Sequence, residues 1–387
     1  MAAVRIGVLG VWRGMEYIRQ FLTLEETEVV AVCDQDPERL KDARDLCGDG
    51  AKYFTDYGTM LDSGIDAVVL CNYFHEHAAF AVRALDRGIH VMSECTAGAT
   101  FKDCVELCEA VERSGCKYML AENYPFSLPM REMTRLCREG TLGDILYAEG
   151  EYNHTGPREM LESLTPGPRH WRAWLPRTYY VTHALGPLMI ATEQIPVRVS
   201  ANAVHSKVQE QYDDFRHNVD ALAMMNIITD KGALFRVTGC AAMASRSGYR
   251  IVGESGSCET GRSLGENVCL TYQPWLVPEG ASEFCVYKPN LPDHSGTAGH
   301  GGGDYYTCWN FMRYLVHDET PFFDVYRSCA MSAVGILGWR SCLNGGEPYD
   351  IPDFQCAEAR DKVRTDNLTP FPDSEGKVTL PCAVPFR

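Results

Sequence analysis

The chain has 387 residues, which at about 100–200 residues per domain predicts two or three domains with a sizeable core. Its 52 acidic residues outnumber its 36 lysines and arginines. The resulting net charge of −16 repels nucleic acid and anionic membrane surfaces, so neither is an expected partner. No segment approaches the ~20 apolar residues of a membrane span, and the amino terminus lacks a signal-peptide pattern, so we expect a cytoplasmic protein.

The 17 cysteines do not follow a metal-binding pattern. The sequence contains no CxxC motif and no cysteine–histidine cluster with zinc-finger spacing. Most of the cysteines lie in apolar segments or on helical patterns, so in a reducing compartment we expect small buried hydrophobic residues. No metal site is predicted.

Residues 4–121 alternate short apolar runs with helical patterns six times. The runs are apolar without alternation, as strands covered on both faces of a parallel sheet are. Asp36 and Pro37 are the expected N-cap and first-turn residue of one helix, and Thr100 and Gly115 the expected ends of another. The repeated units predict an α/β domain over residues 1–124, a Rossmann-type doubly wound parallel sheet. Its predicted strands are residues 4–9, 28–33, 51–54, 67–71, 90–93 and 118–121.

Beyond residue 125 strand patterns dominate, and they predict an α+β domain over residues 125–387 with a largely antiparallel sheet. The segment Asp230-Lys231-Gly232 between two strands is a hairpin signal. Helical spacing occurs in segments 130–139, 305–317 and 325–344. The predicted strands are residues 145–152, 198–205, 222–229, 234–238, 249–252, 268–272 and 284–287.

A glycine-rich turn, GVLGVWRG at 7–14, connects the first strand to a helical pattern. Such a turn presents backbone N–H groups and a positive helix end to a pyrophosphate. Trp12 stands where GxGxxG has its second glycine, so Arg13 and Gly14 are the candidates for the phosphate contact. Asp34, 24 residues after Gly10, suits the hydroxyls of an adenosine ribose and favours NAD over NADP. The alternative is a glycine-rich turn that binds no ligand.

Seven segments, taken in order, resemble the Gfo/Idh/MocA family of nicotinamide-dependent sugar oxidoreductases over nearly the whole chain. The resemblance implies a second domain that carries most of the sugar site. It also implies a homo-oligomer, a dimer or a tetramer, with the open face of the second sheet as the subunit interface. The segments are AVCDQDPER at 31–39, DAVVL at 66–70, HEH at 75–77, ALDRGIHV at 84–91, AEN at 121–123, GDI at 143–145 and VGESGS at 252–257.

Two departures from the family pattern point to a subgroup. Glu94-Cys95-Thr96 stands where the family has Glu-Lys-Pro, and Tyr179 stands where an Asp is expected before His183. The NAD-dependent α-N-acetylgalactosaminidases and related glycosidases also lack that lysine. The chain resembles this subgroup in YVTH at 180–183, GHGGGDY at 299–305 and YNH at 152–154.

The resemblance implies a catalytic cycle in which NAD⁺ is not consumed. It takes a hydride from sugar C3, the ketone acidifies the C2 proton, the C1 substituent leaves by elimination, water adds, and the hydride returns. His183 and Tyr180 are the candidates for the C3 hydroxyl and its neighbourhood. Tyr305 and Tyr179 are candidates for the C2 base or the leaving-group acid, and His154 is a third candidate.

The remaining site predictions concern the cofactor and the substrate. His75 and His77 begin a helix after the fourth strand, at the cofactor edge of such a fold, where they fit a helix cap equally well. Aromatic faces and cations at 171–177, and the glycine-rich loop around His300, suit sugar binding. The substrate candidates are Trp171, Arg172, Arg177 and His300. The cofactor candidates are Gly10, Trp12, Arg13, Gly14, Asp34, Asn72, His75, His77, Glu94, Cys95 and Asn123.

The sequence thus predicts an NAD-dependent enzyme that oxidises a ring hydroxyl of a sugar or glycoside, with the complete glycosidase cycle favoured. One alternative is a glycoside 3-dehydrogenase that stops at the keto-sugar. The other is a non-catalytic protein that senses NAD or a sugar, which Trp12, Cys95 and Tyr179 suggest.

Overall fold

The computed structural model describes residues 2–218, 220–244, 246–296 and 298–384, which form two compact units. The first unit holds the chain up to Asn123 together with His294–Cys329 and Phe354–Asn367, and the second unit holds the rest. Two later segments, predicted as part of the domain at 125–387, return to the first unit, so the units are not continuous in sequence.

The strands and helices follow one another along the chain as two series. The strands are β1 Val4–Leu9, β2 Thr27–Cys33, β3 Lys52–Phe54, β4 Ala67–Leu70, β5 His90–Ser93, β6 Tyr118–Leu120, β7 Ile145–Asn153, β8 Pro196–His205, β9 Asp220–Thr229, β10 Leu234–Ala241, β11 Gly248–Gly253, β12 Gly256–Gly261, β13 Val268–Tyr272, β14 Phe284–Tyr287 and β15 Tyr349–Asp350. The helices are α1 Val11–Phe21, α2 Arg39–Cys47, α3 Tyr57–Leu61, α4 His77–Leu85, α5 Phe101–Ser114, α6 Leu128–Arg138, α7 Arg158–Leu164, α8 Trp171–Trp174, α9 Thr182–Thr192, α10 Lys207–Glu210, α11 Gly303–His317, α12 Val325–Leu343 and α13 Ala357–Asp361.

Six parallel strands form the sheet of the first unit in the order β3-β2-β1-β4-β5-β6. This is the strand order of a dinucleotide-binding Rossmann sheet, and its ligand crevice lies beyond the carboxyl ends of the strands where β1 and β4 meet. The doubly wound α/β prediction is therefore confirmed. The core is completed from a distant segment, because Cys308, Phe311 and Met312 of α11 pack in one cluster with Ile6 and Tyr17.

Local signals fix several helix ends of the first unit. Thr100 accepts a hydrogen bond from the N–H of Asp103, whose carboxylate accepts one from the N–H of Thr100, so a capping box begins α5. Gly115 ends the same helix in the left-handed conformation, as predicted. The predicted N-cap at Asp36 is wrong, because its carboxylate accepts the N–H of Glu38 in a turn that precedes α2.

Nine strands form the sheet of the second unit in the order β14-β13-β12-β11-β7-β10-β9-β8-β15. All neighbouring pairs are antiparallel except β7 and β10, which confirms the largely antiparallel α+β prediction. The signal at residues 230–232 lies at the hairpin between β9 and β10. Every predicted strand is present within a few residues of its expected bounds, and β12 and β15 were not predicted.

Eleven of the 17 cysteines are buried and none is fully exposed, in agreement with their expected role as small hydrophobic residues. Within the described ranges, no helix has the length and hydropathy needed to cross a bilayer.

Candidate functional site

The turn after β1 depends on two glycines. Gly10 has φ +89°, and a Cβ there would lie 2.5 Å from the carbonyl oxygen of Cys71 in the turn after β4, so only glycine fits. Gly14 packs α1 against β1, because a Cβ there would lie 2.7 Å from Cγ1 of Val8. In the dinucleotide fingerprint the third glycine has this packing role. Gly14 therefore replaces it one position early, while the Trp12 side chain is 61% exposed.

Asp34 lies after β2 and beside the first turn of α1. Its Oδ2 accepts the N–H of Val11 at 2.8 Å and its Oδ1 accepts the N–H of Asp36 at 2.9 Å. The carboxylate is buried, and these two bonds hold it at the carboxyl edge of the sheet. A carboxylate here accepts ribose hydroxyls and repels a 2′-phosphate.

Arg13 is the centre of a buried network of charges in the first unit. Its Nε donates to Oε1 of Glu94 at 2.6 Å, and its Nη2 donates to Oδ1 of Asp304 at 2.6 Å. Tyr17 accepts from the same guanidinium at 3.0 Å and donates to Glu94 at 2.6 Å. The guanidinium is thus bound to two carboxylates and a phenol. The guanidinium predicted to contact the phosphate is thus already engaged with side chains of the first unit.

Asp304, at the start of α11, was absent from the predicted site. Its side chain is fully buried and also accepts from Nδ2 of Asn123 at 2.7 Å and from Nδ1 of His300 at 2.8 Å. Burial opposes the charged form, but the hydrogen bonds from His300 and Arg13 hold the pKa of Asp304 well below its usual value. Asn123 and His300 therefore meet at one carboxylate.

The residues after β5 and β6 lie at the same edge of the first sheet. The Cys95 thiol donates to Oε2 of Glu122 at 3.2 Å, and the two side chains are 5% and 1% exposed. Where the resembled family has a lysine, the chain thus holds a thiol that is hydrogen-bonded to a buried acidic side chain.

The histidines after β4 have different surroundings. The His77 ring nitrogens lie 3.2 Å and 3.1 Å from the carbonyl oxygens of Thr96 and Asn72, so this buried ring connects the loops that follow β4 and β5. Burial, aided by His77, lowers the pKa of His75 to about 4, so His75 is neutral at pH 7. Asn72 is half-buried beside them. The alternative interpretation of these histidines as a helix cap is wrong, because the N-cap of α4 is Glu76 and no side chain caps the helix.

In the second unit, three tyrosine rings surround His183. The ring of Tyr124 stacks on the imidazole with a centroid separation of 4.4 Å, and those of Tyr152 and Tyr180 approach it edge-on at 4.7 Å and 5.1 Å. We call these four residues and His154, whose ring lies 5.9 Å from that of Tyr152, the His183 cluster. His183 is 7% exposed, so the protein encloses the imidazole almost completely.

Helix α9 positions His183 by an internal proline. Pro187 has no N–H, so it cannot donate to the carbonyl oxygen of His183 four residues earlier. The hydroxyl of Tyr249 donates to that oxygen instead, at 2.6 Å. The strand β11 thereby anchors the first turn of α9 at the residue that carries the imidazole.

Two ionisable side chains near His183, those of His154 and Tyr152, have pKa values shifted toward the neutral form. Burial and the charge of Arg172 lower the pKa of His154. Burial and the adjacent phenols of Tyr180 and Tyr124 raise the pKa of Tyr152. At pH 7 His154 therefore has one unprotonated ring nitrogen, and Tyr152 keeps its phenol proton.

The predicted aromatic and cationic residues lie together in the second unit. The Arg172 guanidinium lies 4.4 Å from the Trp171 ring centre and 5.7 Å from that of Tyr180, which places it beside the His183 cluster. Arg177 is 5% exposed and donates to the carbonyl oxygens of Asp220 and Cys240 and to Gln209. Arg177 therefore has a structural role in joining these segments.

The other two predicted catalytic tyrosines, Tyr179 and Tyr305, belong to different units. Tyr179 is 3% exposed, and its ring packs edge-on against Phe371. Tyr305 belongs to the first unit, beside Tyr306, and burial raises the pKa of its phenol. Sequence reasoning missed Tyr124 and left Tyr152 out of the catalytic set. The signal for Tyr124 was available, since it follows the matched segment AEN at 121–123.

Comparison with known families defines the class of the first unit. Residues 4–122 match the family model described as "Oxidoreductase family, NAD-binding Rossmann fold", the model of the Gfo/Idh/MocA family. The first unit therefore has an NAD-binding domain of the Gfo/Idh/MocA type, and the protein is an enzyme whose cofactor is NAD. The NAD, Rossmann and family predictions are confirmed.

A second match concerns the carboxyl-terminal part of the chain. Residues 283–360 match the model "Glycosyl hydrolase 109, C-terminal domain". A "Glycosyl hydrolase family 109 protein" of Stenotrophomonas maltophilia is 22% identical over 91% of this chain and 89% of its own length. One of Saccharopolyspora erythraea is 26% identical over 91% and 83%. The resemblance to a glycosidase subgroup is thus confirmed, and the enzyme is NAD-dependent and sugar-active.

Solved structures share the fold at low identity. The WlbA dehydrogenase of Bordetella pertussis, solved with NADH and UDP-GlcNAcA, superimposes with a TM-score of 0.70 at 18% identity, covering 91% of this chain and 98% of that one. Homo-oligomer formation and a cytoplasmic location stay predictions.

The residues of the first unit fit NAD. Gly10 leaves the turn before α1 free of side-chain atoms, and Asp34 supplies a buried carboxylate at the ribose position of this fold. Six of the predicted cofactor contacts lie in or after the turns at the carboxyl edge of the sheet: Gly10, Gly14, Asp34, Glu94, Cys95 and Asn123. These are the residues that would hold the dinucleotide.

Proposed function

We propose that this enzyme cleaves a glycoside by oxidising the C3 hydroxyl of the sugar, eliminating the C1 substituent, adding water and reducing the ketone again. The observation that carries the proposal is the His183 cluster, an imidazole among three phenol rings. The family's lysine position holds Cys95, whose thiol is bound to Glu122. Another side chain therefore has to receive the hydroxyl proton, and we assign this role to the imidazole of His183.

Each side chain is assigned its role in the cycle by its place in the His183 cluster or by the direction of its pKa shift. Bound NAD supplies the two-electron oxidation and the later reduction at C3. His183 takes the proton of the C3 hydroxyl, and Tyr180, edge-on to the imidazole, orients the same oxygen. His154 keeps a free nitrogen at neutral pH because burial and Arg172 lower its pKa, which suits the removal of the C2 proton.

The leaving oxygen needs a proton donor. Burial raises the pKa of Tyr305, so its phenol keeps its proton at neutral pH and suits this role; Tyr179 is the other candidate. Across the whole cycle one water is consumed, one glycosidic bond is broken, and no electrons are gained or lost. The cofactor therefore ends the cycle in the redox state in which it began.

The test is a panel of α and β 4-nitrophenyl glycosides, neutral and N-acetylated, incubated with and without NAD⁺ in D₂O. We expect nitrophenol release that requires NAD⁺, deuterium at C2 of the product, and no accumulation of NADH. His183→Ala should lower kcat at least 100-fold, whereas Tyr53→Phe, which removes an exposed hydroxyl bond to the Gly48 carbonyl, should leave the rate unchanged.

Other outcomes decide against the cycle. NADH that accumulates without nitrophenol release would identify a glycoside 3-dehydrogenase, which stops at the keto-sugar. Release without deuterium at C2 would indicate direct hydrolysis and overturn the elimination step.

A further inference from the structure

A small cavity in the second unit is lined by three arginines. Arg172, Arg177 and Arg216 contribute to its wall, together with His154 and Thr165. The cavity volume is about 20 Å³, which accommodates a water-sized group and excludes a sugar ring. Its natural occupant is therefore a single substituent of a larger molecule.

In the part of the chain that the structure describes, the three arginines of this cavity form no ion pair with a carboxylate. The three side-chain bonds of Arg177 go to two carbonyl oxygens and an amide oxygen, all uncharged. Arg172 lies over the Trp171 ring. Arg216 is the most notable of the three, because within the described ranges its guanidinium has no hydrogen bond or ion pair to another residue.

The neighbouring charges of the cavity change the pKa of Arg216. Burial, Arg177 and Arg172 together lower the pKa of Arg216 to about 10. One carboxylate, Asp220, is near enough to interact with Arg177, and burial raises its pKa. Arg216 is half-buried, and a partly desolvated guanidinium among like charges is destabilised unless an anion completes the site.

Thr165 is an independent sign of a missing partner. Its side chain is 1% exposed, and its Oγ1 has no hydrogen-bond partner although it lines the cavity. Buried hydroxyls are nearly always hydrogen-bonded. A donor of this kind beside a free guanidinium is the arrangement that binds an oxyanion.

We infer that this cavity is a subsite for a carboxylate of the substrate, held by Arg216 and Thr165 and favoured by the charges of Arg172 and Arg177. The planar fork of Arg216 matches the two oxygens of a carboxylate, and the small volume disfavours the larger sulfate and phosphate groups. As an assignment of substrate class, the inference rests on the proposed function. It makes the preferred substrate a glycoside of a uronic acid.

The position of the subsite agrees with this assignment. His154 lines the cavity and belongs to the His183 cluster, and Arg172 lies between the cavity and the ring of Tyr180. A carboxylate on the sugar ring would therefore be bound within a few ångströms of the groups that act on that ring. Its charge would also raise the basicity of His154, which Arg172 now lowers.

The first experiment measures binding without turnover. D-glucuronate and D-galacturonate are titrated into the holoenzyme by calorimetry, beside D-glucose, D-galactose, sulfate and phosphate. We expect a uronate to bind at least tenfold more tightly than its neutral sugar, and Arg216→Gln to abolish that difference. Arg198→Gln, which breaks an exposed ion pair with Asp350, is the matched control and should keep it.

The free proteins provide a check on folding. Arg216→Gln removes a charge that its neighbours repel, so its Tm should equal or exceed that of the wild type, and Arg216→Lys should keep part of the uronate preference. A large fall in Tm for Arg216→Gln would show a structural role and overturn the inference. Tighter binding of sulfate or phosphate than of the uronates would overturn the carboxylate assignment.

The second experiment compares kcat/KM for 4-nitrophenyl glucuronide and glucoside in both anomers, with the galacturonide and galactoside as a second pair. We expect a uronate preference of at least tenfold that disappears in Arg216→Gln. Cleavage of neutral and acidic glycosides at equal rates would overturn the carboxylate subsite and leave the proposed glycosidase standing. Arg216-dependent uronate binding without cleavage of any glycoside would retain the subsite and overturn the proposed function.

Discussion

At the residue scale, Asp304 is the carboxylate on which the buried charges of the first unit converge. Arg13, Asn123 and His300 all donate to it, and its side chain is fully buried. Loss of one partner of such a pair leaves the other charge buried without compensation. The sequence predicted that Arg13 contacts the cofactor and that His300 contacts the substrate. In the structure both side chains bind Asp304.

We expect Asp304→Asn to lower the free energy of unfolding by about 3 kcal/mol at pH 7. Because the pKa of Asp304 is lower in the folded state, its contribution is fully present above the unfolded pKa of about 4 and is lost as the pH falls below that value. Thermal unfolding between pH 2.5 and 7 should therefore show a smaller difference between variant and wild type at the acidic end. Asp62→Asn, in an exposed pair with Arg87, should have little effect at any pH; a constant deficit for Asp304→Asn would contradict the argument.

At the element scale, helix α9 depends on a hydrogen bond from outside itself. Pro187 leaves the carbonyl oxygen of His183 without its helical donor, and the hydroxyl of Tyr249 on β11 supplies one. The whole helix is buried, so water cannot easily replace that donor. The hydroxyl of Tyr249 thus couples the first turn of α9, which carries the imidazole, to the sheet.

Tyr249→Phe should lower the free energy of unfolding by about 1–3 kcal/mol, because a buried carbonyl oxygen loses its donor while the ring stays. The matched control is Tyr53→Phe, whose hydroxyl also donates to a carbonyl oxygen but at an exposed position, and it should cost no more than ~0.5 kcal/mol. Chemical denaturation measures both. Equal losses in the two variants would show that the burial of the bond is irrelevant.

At the scale of the whole molecule, the Rossmann unit is assembled from segments far apart in the sequence. Phe311 and Met312 of α11 share a core with residues of β1 and α1. Each fully buried side chain of this size contributes about 1.5–3 kcal/mol, which is large against the 5–15 kcal/mol that stabilises a typical domain. The amino-terminal segment therefore lacks part of its own core.

A fragment of residues 1–124 should consequently not fold as a stable domain. We expect it to unfold without a cooperative thermal transition and to bind the dye ANS, which reports exposed apolar surface. Circular dichroism and ANS fluorescence beside the full chain measure this. A cooperative transition with native-like protection would show that α11 is dispensable for the core.

The sequence by itself determined the elements whose cause is local. Unbroken apolar runs predicted the six parallel strands, Thr100 and Gly115 predicted the ends of α5, and residues 230–232 predicted a hairpin. The phosphate turn with Gly10 and the carboxylate of Asp34 was equally visible, because its residues are fixed by their distance from a strand. The predicted cap at Asp36 is wrong because its carboxylate accepts the N–H of Glu38 in a turn. This turn is also a local interaction, and the sequence pattern does not distinguish it from a helix cap.

Only the tertiary structure decided which distant side chains meet. Arg13 and Asp304 are 291 positions apart, and the rings around His183 come from residues 124, 152 and 180. Arg216 carries no local signal either, since the two other arginines of its cavity, Arg172 and Arg177, belong to a distant segment of the chain. Such long-range contacts depend on the order of the strands in each sheet and on which buried polar groups form hydrogen bonds with one another. Those are properties of the packed chain that no window of sequence contains.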